Sequence, residues 1–171
     1  MPADNAGGFP KIRPIATHDR AIFDYASYRG LLVMSGVAAD SSAKNPRIVR
    51  SEDGRAAVWL GAVDDLWQLG KPRGVGGPWR DSTVKAGVPS DPYLFNGFDR
   101  KSLTLSHTAA QAVKMRVEAD ITGEGRWIAY RTFQVPAGKP LEHSFPEAYA
   151  AAWVRVVADA DCTASAVLRY E

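Results

Sequence analysis

Apolar and polar residues alternate along the C-terminal part of the chain, from position 102 onward. In an extended segment Leu103 and Leu105 point one way, whereas Ser102, Thr104 and Ser106 point the other way. The same period of two recurs in segments that begin at Val113, Trp127, Leu141, Trp153 and Cys162. This period indicates β-strands with one buried face, and turn-forming residues separate them about every ten positions. Residues 102–171 are therefore predicted to form an antiparallel β-sandwich, whose two sheets pack by their apolar faces.

The N-terminal half predicts shorter strands, at 21–27, 31–35, 47–50 and 56–62. The run at 31–35 is continuously apolar, which suits a strand buried on both faces. Asp53 and Gly54 mark a hairpin turn, because glycine accepts the positive φ that a tight turn requires. One helical turn is expected at 64–69. Residues 15–69 are therefore predicted to form an antiparallel sheet, preceded by a loose lead-in at 1–14 that is rich in Gly, Pro and Ala.

Between these two regions, residues 70–101 contain a concentration of glycine and proline. Proline removes a ladder hydrogen bond and glycine weakens a strand, so few ordered ladders are expected there. The segment is predicted to be an extended, structured connection between two modules. It is not a phosphate-binding loop, because Pro72 follows Lys71 where that motif has Ser or Thr and the start of a helix. The predicted fold class is all-β throughout.

Composition narrows the classes of partner. The 171 residues are 46% hydrophobic, enough for a core, and 21 basic residues face 19 acidic ones. The charges nearly balance, and the sequence has no basic stripe of the kind that binds the phosphate backbone of nucleic acid. No apolar run approaches the ~18 residues that a membrane-spanning segment requires. The lone Cys162 excludes an intrachain disulfide. The N-terminus has no apolar signal-peptide core, so an extracellular or periplasmic location would require a signal upstream.

No catalytic motif appears in the sequence. There is no Gly-x-Ser-x-Gly elbow, and three scattered histidines offer no metal-ligand spacing. The chain by itself is therefore not expected to be an enzyme, and neither a cofactor nor a metal is expected. His18 and Arg20 are candidate ligand contacts because they cluster with an aspartate. Asp64 and Asp65 form a carboxylate pair beside a tryptophan, although adjacent residues in an extended segment point apart, which favours a turn or capping role.

Aromatic residues suggest a ligand-binding surface. Sugar rings have flat apolar faces that stack on aromatic side chains. Trp79, Tyr93 and Phe95 are the best candidates for an exposed aromatic platform, because they lie in chain predicted to be irregular. The alternative is that these rings fill the core or close the connection.

Two stretches, Ser51–Trp79 and Asp91–His107, resemble the C-terminal end of large exported bacterial β-propeller proteins, sialidase-like in general style. WIAYRTFQVPAG and HSFPEAYAAAWVRVVADADCTASA are similar to the β-sandwich module that ends those proteins. The resemblance implies that residues 15–69 are the last propeller blade. The turn at Gly54 departs from the sialidase Asp-box, because that glycine follows Asp53 directly and Trp59 comes one residue late.

Three functions follow from the resemblance and the pattern. The first is a non-catalytic accessory module at the C-terminus of a propeller protein, whose partners are the remainder of the parent propeller and a glycan. The second is a fragment of an exported glycan-degrading hydrolase or lyase. The third is an interaction module that pairs with another protein chain through strand edges, since a lone blade has exposed edges.

Overall fold

The computed structural model describes residues 22–37, 45–68 and 73–171, which form two compact units. The first unit comprises described residues up to position 68, and the second begins at position 73. Both are built from antiparallel strands, so the predicted all-β class is confirmed. Among the residues that the structure describes, no helix combines the length and the apolar character needed to cross a membrane.

The first unit is a four-stranded sheet. Its strands are β1 (Tyr25–Tyr28), β2 (Leu31–Met34), β3 (Ile48–Arg50) and β4 (Ala57–Gly61), in the order β1-β2-β4-β3, and a 3-10 helix follows at Val63–Gln68. Gly54 has a φ of 67°, which permits the predicted turn between β3 and β4. Because β2 pairs with β4 instead of β3, the order is not that of a simple meander.

This sheet buries little apolar surface. In the described part of this unit the buried cluster consists of Met34 and Trp59, with partly buried Leu32, Val37, Ile48 and Leu66 packed against them. The strand predicted at 31–35 is confirmed, but the expectation that both its faces are buried is wrong, since only its last residue is buried. Burial of both faces requires a layer on each side of the sheet, and the described part of this unit supplies one short 3-10 helix.

The second unit is a sandwich of two four-stranded antiparallel sheets. One sheet has the order β10-β7-β12-β5, and the other has the order β6-β11-β8-β9. The strands are β5 (Gly74–Val84), β6 (Tyr93–Leu94), β7 (Lys101–His107), β8 (Val113–Asp120), β9 (Trp127–Val135), β10 (Leu141–Ser144), β11 (Trp153–Ala158) and β12 (Cys162–Tyr170). The period of two found in the sequence after position 101 therefore predicts β7 to β12 correctly.

The inward-facing residues of both sheets form one core of 20 buried side chains. Leu103 and Leu105 of β7 and Met115 and Val117 of β8 belong to it, in the phase that the sequence predicts. Tyr170 ties the two sheets together, because its hydroxyl donates to the backbone carbonyl of Leu94. Burial raises the pKa of Tyr170, so the hydroxyl keeps the proton that it donates.

The predicted connection at 70–101 is in part a strand of the sandwich. β5 spans 11 residues and pairs with β12, and Gly76 and Gly77 explain why. A Cβ on Gly77 would lie 1.8 Å from the carbonyl oxygen of Ala166, so only glycine permits this close approach of the two strands. Pro78 is tolerated because β5 is an edge strand. The sandwich thus begins near residue 73 and not at 102.

Candidate functional site

The outer face of sheet β6-β11-β8-β9 carries a cluster of charged and aromatic side chains. Arg155 on β11 lies opposite Glu118 on β8, and Arg116 lies two residues earlier on the same face of β8. Trp127 begins β9, the next strand. The pairing of three strands therefore brings together residues far apart in the sequence. We call Arg116, Glu118, Trp127 and Arg155 the Trp127 face.

Glu118 is the centre of this face. Its Oε1 accepts a hydrogen bond of 2.8 Å from Nε of Arg116, and its Oε2 accepts one of 2.6 Å from Nε of Arg155. The residue is buried, with 8% of its surface exposed, whereas the side chain of Arg116 is 48% exposed. Each carboxylate oxygen thus has a cationic donor, as a desolvated charge requires.

Burial alone would raise the pKa of Glu118. The hydrogen bonds from Arg155 and Arg116, together with their positive charges, outweigh burial and lower this pKa below its ordinary value. Glu118 is therefore a fixed anion at neutral pH, and the face as a whole carries one excess positive charge.

The guanidinium of Arg155 also lies over the ring of Trp127, with Cζ 4.4 Å from the ring centroid. A cation over the face of an indole is attracted by the ring quadrupole. Because the same guanidinium is hydrogen-bonded to Glu118, the ring and the ion pair hold each other in place. Trp127 stays partly exposed, as does Trp153 of β11.

The loop that leads into Trp127 is ordered by Asp120. This carboxylate is only 2% exposed and accepts backbone hydrogen bonds of 2.8 Å from Gly123 and of 2.8 Å from Gly125. Gly123 and Gly125 have φ of 73° and 84°, a conformation that glycine permits and that the tight bend between β8 and β9 requires. The start of β9, and with it the tryptophan, is therefore held by a closed hydrogen-bond ring.

A second cluster joins the edge strands β9 and β10. The hydroxyl of Tyr130 lies 2.9 Å from Nε2 of His143, and the rings of Phe145 and Tyr149 pack against Tyr130. Burial, and secondarily the charge of Arg131, lowers the pKa of His143, so the imidazole is neutral at neutral pH. Burial also raises the pKa of Tyr130. This cluster closes the sandwich between its two sheets.

The structure places the predicted aromatic residues inside the sandwich. Trp79 and Phe95 are 7% and 0% exposed and belong to its core, so the expectation that they form an exposed platform is wrong. Tyr93 is partly buried and packs against the same core. The physical reason is that residues 74–84 and 93–94 are strands of the sandwich, whose inward positions must be apolar.

The two carboxylates differ in their surroundings. Asp65 accepts a hydrogen bond of 2.8 Å from the backbone of Ala62 and pairs with Arg47 at 3.0 Å. It therefore caps the 3-10 helix, the alternative role that the sequence favoured. Asp64 is exposed. The other two candidates, His18 and Arg20, lie outside the described residues.

Sequence reasoning missed the Trp127 face. Arg116 and Glu118 have opposite charges two positions apart on the polar side of one strand, which predicts neighbours on an outer face. The order of the strands, which brings Arg155 and Trp127 to that pair, cannot be obtained from alternation.

Within the described ranges, no group of three or more histidine, cysteine, aspartate or glutamate side chains is placed to hold a metal ion. Comparison with known proteins finds no family model that matches the chain and no curated protein that matches it. The chemistry of the side chains must therefore carry the functional argument.

Proposed function

We propose that the chain is a non-catalytic binding module that contacts carbohydrate through the Trp127 face. One observation carries this proposal: a partly exposed indole is fixed on an outer sheet face beside a hydrogen-bonded Arg–Glu–Arg group. Indole rings stack on the apolar faces of sugars, and charged neighbours hold the hydroxyls. The ring is held in place before a ligand arrives, which reduces the entropy lost on binding.

The charged groups suit a hydroxylated ligand. Arg116 is about half exposed, and its guanidinium has five donors, of which Nε is engaged by Glu118. Its remaining N–H groups are available to accepting oxygens. Glu118 is nearly covered, so its role is to orient the two arginines.

We further propose that this binding module serves as an accessory domain at the C-terminal end of a larger β-propeller protein. The resemblance of Ser51–Trp79 and Asp91–His107 supports this part of the proposal. The small buried cluster of the four-stranded sheet also supports it, since a propeller blade relies on neighbouring blades.

Affinity electrophoresis and NMR titration of the full chain against neutral, acidic and amino-sugar polysaccharides test carbohydrate binding. We expect Trp127→Ala to weaken binding about tenfold, because loss of an aromatic contact worth ~1.4 kcal/mol corresponds to that factor. Ile128→Ala is the matched control, since this neighbour on β9 is 54% exposed but lies outside the Trp127 face. Absence of binding to every polysaccharide, or equal binding by Trp127→Ala, would contradict the proposal.

A second candidate function is pairing with another protein chain through β1. All four residues of this edge strand are exposed, including Tyr25 and Tyr28 at 75% and 58%. An exposed edge strand offers unpaired backbone groups to a partner. Sedimentation velocity over a range of concentrations tests self-pairing. We expect association that Tyr25→Lys abolishes. Val75→Lys, at an exposed site on β5 with 54% of its surface accessible, should leave the association intact. A monomer at all concentrations would contradict self-pairing.

A further inference from the structure

A cavity lies on the outer face of the other sheet, β10-β7-β12-β5. Ser102 on β7 stands opposite Ser144 on β10 and opposite Arg169 on β12. Beyond the strand ends, Arg100 and Glu171 exchange both backbone hydrogen bonds at 2.9 Å. The cavity has a volume of about 320 Å³. We call it the Arg169 pocket. The polar side chains on its accessible side are Arg100, Ser102, Ser144, Glu147, Arg169 and Glu171, and the buried residues Lys101 and Phe145 complete its lining.

The polar groups of this pocket do not satisfy one another. Within the part of the chain that the structure describes, the guanidinium groups of Arg100 and Arg169 form no ion pair. Arg47, Arg116 and Arg155, in contrast, are each engaged by a carboxylate. The Arg169 pocket therefore gathers charged groups of both signs that are left available to a ligand.

The ring of Phe145 faces the core and not this pocket, because it packs against Phe95 and Tyr130 between the two sheets. The backbone N–H of Phe145 donates to the carbonyl of Lys101 at 2.9 Å, which fixes the end of β10 against β7 at this point. The pocket is thus a polar recess on a hydrogen-bonded sheet.

The chemistry of the lining selects the ligand. Guanidinium groups bind carboxylates in a planar, bidentate geometry, whereas serine hydroxyls and carboxylates exchange hydrogen bonds with hydroxyl groups. The charges of Arg100 and Arg169 are balanced by those of Glu147 and Glu171. Lys101 also lines the pocket, but its ammonium is buried and donates to the carbonyl of Phe98 at 2.7 Å. The four exposed charges therefore give no strong net field that would concentrate a bare anion. A volume near the lower end of the ~300–1,000 Å³ range of ligand sites suits a single ring.

We propose that the Arg169 pocket binds a uronic acid. Its carboxylate lies on Arg100 and Arg169, and its ring hydroxyls contact Ser102, Ser144 and the two glutamates. This site lies on the sheet opposite the Trp127 face, so it does not rest on the proposed function.

Titration of the ¹⁵N-labelled full chain with sodium glucuronate, followed by amide shifts, tests this site. We expect saturable shifts confined to residues 100–102, 144–147 and 169–171. Glucose lacks the carboxylate and acetate lacks the hydroxyls, so each binds at least about tenfold more weakly, the factor that ~1.4 kcal/mol produces. Arg169→Gln abolishes the saturable shifts, and Arg169→Lys weakens binding because the planar fork is lost.

Arg126→Gln is the matched control, since it removes the same charge from an exposed position outside the pocket, and it leaves glucuronate binding unchanged. The amide spectrum of each variant reports whether it is folded. Absence of saturable shifts, or retention of binding in folded Arg169→Gln, overturns the proposal. Equal binding of glucose, or tighter binding of phosphate, sulfate or glycine, overturns the assignment to uronic acids.

Discussion

The two units are built from the same kind of antiparallel strand but differ in how much apolar surface each buries within itself. The sandwich has 20 buried residues in one core, whereas the four-stranded sheet buries Met34 and Trp59. In β1 of that sheet Tyr25 is 75% exposed, and Phe23, just before this strand, is 83% exposed. Strand content therefore says little about stability: a sheet becomes independent only when a second layer covers its apolar face.

The most direct test of this difference between the two units is to produce each of them separately. We expect residues 73–171 to fold alone and to unfold cooperatively in urea, because their core lies entirely within that range. Residues 16–72 alone should show the narrow amide dispersion of an unfolded chain, since the two buried residues found among the described positions of this range cannot offset the entropy of ordering the sheet. Far-UV circular dichroism and NMR measure both. A cooperative transition for the shorter fragment would show that the comparison is wrong.

The next largest effect concerns one phenylalanine in each unit. Phe95→Ala should lower the free energy of unfolding of the sandwich by ~3–5 kcal/mol, because a fully buried ring is replaced by a cavity. Phe23→Ala should change stability by less than ~0.5 kcal/mol, as is usual for an exposed site. Urea denaturation followed by fluorescence compares them. Similar losses for both variants would mean that Phe23 is covered in solution.

A smaller effect tests whether the glycine-rich segment is part of the sandwich. Gly77→Ala should destabilise it by ~1–3 kcal/mol, because the new Cβ would meet the backbone of Ala166 and force β5 and β12 apart. Gly74→Ala is the control on the same strand, where the nearest atom, on Tyr170, is 3.5 Å from the added Cβ. Thermal denaturation measures both. Equal melting temperatures for the two variants would restore the interpretation of this segment as a linker.

The smallest effect concerns the edge where β9 meets β10. Folding lowers the pKa of His143. Below the unfolded pKa of about 6.5 the unfolded chain therefore binds more protons than the folded chain, and the free energy of unfolding decreases as the pH is lowered. Protonation also removes the acceptor that Nε2 presents to Tyr130. Between pH 8 and pH 5.5 the melting temperature should fall more for the native chain than for His143→Gln. Parallel pH profiles would exclude His143 as the cause.

The sandwich strands could be predicted from the sequence because alternation is a local property. Leu103, Val113, Val154 and their neighbours reveal the buried face within a few residues. β5 could not be predicted in this way, because its glycines and Pro78 are incompatible with an ordinary central strand. They become acceptable only at an edge that lies unusually close to Ala166, a long-range fact.

The site was harder to predict for the same reason. Trp127 was recognisable as an aromatic residue on a strand, but Arg155 reaches it only because β11, β8 and β9 are neighbours in that order. Trp79 and Phe95 were chosen because their segment appeared irregular, and its strands place them in the core. The local pattern of residues thus identifies individual strands. To predict a site that several strands build together, the order of the strands in the sheet must also be known.

The position of β12 has a consequence for biosynthesis. This strand, the last along the chain, lies between β7 and β5 and provides the partner of both. While the ribosome is still translating the segment before residue 162, the 11-residue strand β5 has no neighbour within its own sheet. The nascent polypeptide therefore exposes β5 until β12 has been synthesised, and chaperones have their greatest opportunity to bind β5 during that interval.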